Sequence, residues 1–225
     1  MPKYNRPAAC REIMKGAELM DNRKNEILDV TRRLINEKGL INTSTNDIAR
    51  AVGISRGTLY HHFESKEAIL DALVEKVSAD IYKRAREIAQ DKSIPVMERI
   101  LNTVLSINVS DSSDHVILEH LNSPDNILLH QKVQKEMLAT LPGILAQIIE
   151  DGNEEGIFKT EYPYESMEML VAYTSLIFDG DFIEMSEEES TNRLVALMHN
   201  IERMLGAEEG AFNPFVEAIA YGKRD

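Results

Sequence analysis

Apolar residues recur at steps of three and four along almost the whole chain, and no stretch alternates apolar with polar long enough to read as a strand. That periodicity restricts the fold class to all-α. Ile27, Val30, Thr31, Leu34 and Ile35 form the first stripe, with Asp21 or Asn22 available to cap it and Gly39 to stop it. Ser44 opens a second, short helix through Ile48, Ala49 and Val52 to Gly53, and Asp47 completes a capping-box pair. Ser55 caps a third helix carrying Leu59, Tyr60 and Phe63. A fourth runs from about Lys66 to Gln90, with Leu70, Leu73, Val77, Ile81, Ala85 and Ile88 on one side.

The same period predicts further helices over 95–109, 114–122, 125–139, 142–152, 163–179 and 186–205, nine to ten in all. Pro95, Pro124, Pro142 and Pro163 each stand near a predicted helix start, where the missing N–H is harmless. The last two helices carry matched seams, Met167, Leu170, Thr174 and Ile177 against Leu194, Leu197, Ile201 and Met204. Val171, Phe178, Val195, Met198 and Leu205 widen them beyond what one partner helix needs. A four-helix bundle built from two such pairs would bury both sides, so a homodimer through 163–179 and 186–205 is expected. An intrachain core is the plainer use of each seam.

Composition narrows the function classes. With 43% of its residues hydrophobic and 28% charged, the chain has ample material for a core and is neither disordered nor fibrous. No apolar run approaches the ~18 residues of a membrane span, and no signal sequence is read at the start. A lone Cys10 allows no intramolecular disulfide, so a reducing, cytoplasmic setting is expected. The net charge of -13 is unevenly spread: residues 1–66 sum to +4 and the remainder to -17. A basic head on an acidic body can meet a polyanion with one end only.

The segment from Ser44 to Phe63 reads as a helix-turn-helix. Ala49 is small where the helices cross, Gly53 permits a left-handed turn, and Ile54 fills the space beneath it. The run that overlaps and extends this segment is more specific. Gly57-Thr-Leu-Tyr-His-His-Phe-Glu-Ser-Lys-Glu-Ala-Ile-Leu70, preceded by Ile48-Ala49 and Gly53-Ile54-Ser55, closely resembles the tetracycline-repressor (TetR) family. The resemblance is carried by residues 23–72.

It implies a dimeric transcriptional regulator, usually a repressor, released from a palindromic DNA operator by a small-molecule effector. The implied domains are an N-terminal extension over 1–21, a DNA-binding domain over 22–68 and an effector-binding and dimerisation domain over 69–225. No cofactor is implied. Carried over by position, Arg56, Gly57, Thr58 and His61 stand where family members touch bases. Thr43, Ser44, Tyr60, His62 and Lys66 stand where they contact phosphates.

Side-chain chemistry agrees. Arg56 has a fork suited to guanine, Thr58 a hydroxyl and a methyl, and Gly57 lets backbone approach closely. Tyr60 and Lys66 suit phosphates, and Ser44 sits at a helix N-terminus where N–H groups favour an anion. For each of these a solvated surface residue is the plain alternative.

Other candidates are thinner. The adjacent His61 and His62 point about 100° apart on a helix and cannot readily share a metal. Lys3, Arg6, Arg11 and Lys15 could form a basic arm for a minor groove, although a frayed terminus explains them as well. His115 and Glu119 share a helical face with His120, Asp111 and Asp114 nearby, a spacing open to metal binding. Tyr173 and Phe178 are candidate effector contacts. An enzyme using His115, Glu119 and His120, a non-DNA-binding adaptor and a transcriptional activator are the rival readings.

Overall fold

A computed structural model of the protein describes residues 8–107, 114–118, 127–178 and 185–221. Ten α-helices are named along them: α1 (Ala8–Lys38), α2 (Thr45–Val52), α3 (Arg56–His62), α4 (Lys66–Gln90), α5 (Val96–Ile107), α6 (His115–Leu118), α7 (Ile127–Glu154), α8 (Pro163–Ile177), α9 (Glu187–Leu205) and α10 (Asn213–Val216). A π-helical turn, Glu217–Tyr221, comes after α10. Among the described residues there is no strand, and the all-α reading holds.

Some boundaries differ from expectation. Asp21 and Asn22 do not cap α1, which already runs from Ala8. Pro142 does not start a helix; it lies buried inside α7, and the two segments expected over 125–139 and 142–152 are one helix. Proline removes one hydrogen-bond donor, and burial of the residues just beyond it (Ile144, Leu145, Ile148 and Ile149) holds the helix together across the gap. Pro163 does stand in the first turn of its helix. The segments expected over 95–109 and 114–122 are described as Val96–Ile107 and His115–Leu118, and the remainder of each lies outside the described residues. The periodicity gives no sign of α10 or the π-turn.

The chain divides into two compact units. The first holds α1 to α3, α4 up to Val77, and α6. Its core is Ile27, Ile35, Ile48, Leu59, Ile69 and Leu73, each 1% exposed or less. α6 belongs here because Asp114, buried just ahead of it, receives Arg32 of α1: Nε donates to Oδ1 at 2.7 Å and Nη2 to Oδ2. Such a two-pronged grip fixes orientation as well as distance.

The second unit holds α4 from Ser78, α5 and α7 to α10. Ile148, Ile149, Phe158, Met167 and Leu205 anchor a single apolar cluster. α7 packs along α8, and α8 along α9. α9 opens with a capping box between Ser186 and Glu189 and stops at Gly206 in the left-handed region. The buried Glu202 accepts the Phe212 backbone N–H at 3.0 Å, tying α10 to α9.

Here the seams can be assigned. Met167, Leu194, Leu197 and Ile201 are buried within the chain, as are Val171, Met198 and Leu205 among the flanking residues. The large apolar residues of α8 and α9 that remain exposed are Tyr164, Met169, Tyr173, Leu176 and Val195. No helix among the described residues is long and apolar enough to cross a membrane.

Candidate nucleic-acid interface

Local rules build this site. Ser44, in extended backbone, caps α2: its Oγ accepts the Asp47 N–H at 3.2 Å, and Asp47 Oδ2 accepts the Ser44 N–H at 3.0 Å. Lys38 sits 3.0 Å from the same carboxylate. The Ser44 hydroxyl, then Lys38, then the Ser44 backbone hold the Asp47 carboxyl well below the usual range. Gly53 takes φ 74°, a conformation that penalises a Cβ. Its N–H and that of Ile54 close the end of α2 on Arg50 and Ala49 carbonyls at 3.2 and 2.9 Å. Ser55 then caps α3, accepting the Thr58 N–H at 3.0 Å.

Burial sorts the faces of α3. Leu59 is fully buried and Phe63 nearly so, while Arg56, Gly57, Thr58, Tyr60 and His61 are exposed. A Cβ built on Gly57 would meet only Ser55 Oγ, at 3.7 Å. Nothing inside the protein therefore requires glycine there, and the bareness of that position faces outward. The Thr58 hydroxyl lies 2.8 Å from the Ser55 hydroxyl, and Thr58 is exposed. Arg56 Nη2 donates a long hydrogen bond of 3.5 Å to the Tyr60 hydroxyl, with the guanidinium over the ring. That donor, then the Thr45 hydroxyl, lowers the Tyr60 phenol from its ordinary value.

The residues expected at phosphates do not form one group. Ser44 is exposed at the start of α2 and Lys66 half-buried at the start of α4, its Nζ donating to the Leu40 carbonyl at 3.2 Å. Thr43 is 1% exposed, and its Oγ1 donates to the Gly39 carbonyl at 2.8 Å. His62 turns its Nδ1 into the protein, where it is buried without a hydrogen-bond partner. Burial first, then the neighbouring His61, Lys24 and Arg23, pushes its pKa below the ordinary histidine value. The His61 and His62 rings meet edge to face at 5.7 Å.

Sequence reasoning misses Thr45, which faces Tyr60 from the first turn of α2, and the pairing of Arg32 with Asp114. The second has no local signal, since the partners are 82 residues apart. Asp114, by sequence a possible neighbour of a metal, is committed to Arg32. His115 opens α6, whereas Glu119, His120 and Asp111 lie outside the described residues. Among the described residues no three potential ligands gather. Lys3 and Arg6 also lie outside them, and Arg11 and Lys15 fall within α1.

In the second unit, Tyr173 and Phe178 come together edge to face, with centroids 6.4 Å apart. A separate cavity of about 290 Å³ opens between α4 and α7, lined by Arg86, Gln90, Thr140, Gly143 and Gln147 among others.

Known proteins place this architecture. Residues 27–73 match the family described as bacterial regulatory proteins, tetR family, and residues 108–200 match a tetracyclin repressor-like C-terminal domain. Together these matches span well over half of the chain. The chain belongs to the TetR family.

Among its TetR relatives, the HTH-type transcriptional repressor KstR2 of Rhodococcus jostii is 28% identical over 64% of this chain and 71% of its own length. KstR2 of Mycobacterium tuberculosis is 36% identical, but over only 36% of this chain and 40% of its own. A TetR-family regulator from Pectobacterium atrosepticum shares the fold, with a TM-score of 0.55 at 17% identity, covering 92% of this chain and 95% of that one. This TetR protein is a DNA-binding transcriptional regulator from a family of regulators, not of enzymes.

Proposed function

We propose that the protein is a homodimeric repressor that holds a palindromic operator and leaves it when a small-molecule effector binds. The observation that carries this reading is the outer face of α3, where Arg56, bare Gly57, Thr58 and Tyr60 stand exposed on a helix capped at its start and anchored by buried Leu59. Arg56 and Thr58 would read base edges, with Gly57 allowing the approach and His61 alongside. Ser44, Tyr60 and Lys66 would take phosphates. Thr43 and His62 would act from behind them, Thr43 by fixing the loop before α2 and His62 with its Nδ1 turned into the protein.

DNA contact would fall to residues 22–68, effector binding and dimerisation to 69–225, and 1–21 would extend the head. The exposed stripe of Met169, Tyr173, Leu176 and Val195 supports pairing of α8 and α9 with a second copy. Two α3 helices would then enter successive major grooves about 34–36 Å apart. Tyr173 and Phe178 are the aromatic pair nominated for the effector. The two KstR2 relatives, both named repressors, favour repression over activation. The site of action would be the cytoplasm, where the chromosome lies.

The test is selection of random duplex DNA by the purified protein at two salt concentrations. A recovered palindrome whose binding weakens by about 0.9 in log–log slope per phosphate contact supports the reading. A folded dimer that enriches no motif overturns it.

A further inference from the structure

Arg56 and Tyr60 stand one turn apart on α3, and each meets the other. The guanidinium carbon lies 5.4 Å from the centre of the Tyr60 ring, and Nη2 reaches the phenol oxygen at 3.5 Å. Tyr60 is 38% exposed, and its ring carries the guanidinium of Arg56. Its hydroxyl faces Thr45, the first residue of α2. Among the described residues the charge of Arg56 is thus met chiefly by the ring, with only a long bond to the hydroxyl, and it forms no ion pair with a carboxylate that DNA would have to displace.

Recognition gains from this arrangement. A free arginine side chain loses much rotamer freedom when a base fixes its fork. A partner that already confines the guanidinium to the outer face of α3 removes part of that loss. Contact of a cation with an exposed aromatic ring shifts such a population by about two- to five-fold.

We infer that Tyr60 is a positioning residue for Arg56, holding its guanidinium along the outer face of α3 so that it discriminates between base pairs. This goes beyond a phosphate contact by the Tyr60 hydroxyl, because the ring and the hydroxyl then have separable duties. The inference rests on the base-reading role proposed above for Arg56.

The experiment repeats the random-duplex selection with the full chain and four variants: Arg56→Ala, Tyr60→Phe, Tyr60→Leu and the double variant Arg56→Ala/Tyr60→Leu. Thermal midpoints are recorded alongside, and α3's outer face tolerates these changes because both residues are exposed. Tyr60→Leu is expected to relax preference at the base pair that Arg56→Ala relaxes, by about two- to five-fold. The double variant should be no more relaxed there than Arg56→Ala alone. Tyr60→Phe keeps the ring and should retain the preference while weakening binding to all duplexes.

Intact preference in Tyr60→Leu, or additive losses in the double variant, would overturn the positioning role while leaving base reading in place. Unchanged preference at every position in Arg56→Ala would instead remove the base-reading role, and this inference with it.

Discussion

Arg56 and Arg99 show how differently the two units treat the same side chain. Arg56 lies exposed on α3 and rests on a tyrosine ring. Arg99, on α5, is 1% exposed, and its Nη1 donates to Asp151 Oδ2 at 2.7 Å and to the Ala89 carbonyl at 3.3 Å. Lys92 grips the other oxygen of Asp151 at 2.8 Å. Arg99 Nε and, one turn on, Thr103 Oγ1 are buried without a hydrogen-bond partner among the described residues. A buried guanidinium is tolerated only with a fixed counter-charge, whereas an exposed one can exchange partners. On α3 the cation stays exposed to a polyanion, whereas in the second unit Arg99 locks α5 against α7.

Removing the counter-charge should break this contrast most severely. Asp151→Ala leaves Arg99 buried and unpaired, and should lower unfolding free energy by about 3–5 kcal/mol in chemical denaturation. Burial pushes the Asp151 carboxyl up, but the bonds from Lys92 and Arg99 bring it below its ordinary value. The stabilisation is therefore present above the unfolded carboxylate range near pH ~4 and is lost as pH falls through the lower folded value. Denaturation curves from pH 6 downward should show that loss in the parent and not in Asp151→Ala.

Next in size is Gly152→Ala. A Cβ there would lie 2.3 Å from Phe158 Cδ2, and Phe158 is 1% exposed, so about 1–3 kcal/mol of overpacking is expected from thermal or chemical unfolding. Ser44→Ala, which removes the cap of α2, should cost about 1 kcal/mol by the same measurement. At the small end, Arg56→Ala should change stability by no more than about 0.5 kcal/mol. Its loss should be seen in selected DNA, at about 1–3 kcal/mol of preference at particular base pairs. An Arg56→Ala variant as damaged in stability as Asp151→Ala would erase the contrast.

These differences explain what the amino-acid order can reveal. The caps at Ser44 and Ser55 and the left-handed Gly53 are legible, because each depends on residues within one turn. The exposed face of α3 is legible for the same reason: Leu59 points inward and its neighbours cannot. Thr43 resembles a surface donor by type, but its hydroxyl is consumed by a carbonyl four residues earlier. Pro142 looks like a helix start, since sequence does not show what packs around a helix interior. Arg99 with Asp151, 52 residues on, depends on tertiary packing that no local period encodes. Nor can periodicity tell that Met169, Tyr173 and Leu176 stay uncovered while Met167 and Val171 do not.

The grip of Arg32 on Asp114 bears on how such proteins can be recombined. The C-terminal family match begins at residue 108, so a chimera cut by family boundaries would assign Asp114 to the exchanged part. Its carboxylate nevertheless lies in the same compact unit as α1. A head spliced onto a foreign body would bring its arginine and leave the matching acid behind. In an engineered sensor, α1 and the residue at position 114 are thus a lock and key to be moved together, and the exchange that respects the unit takes three cuts rather than one.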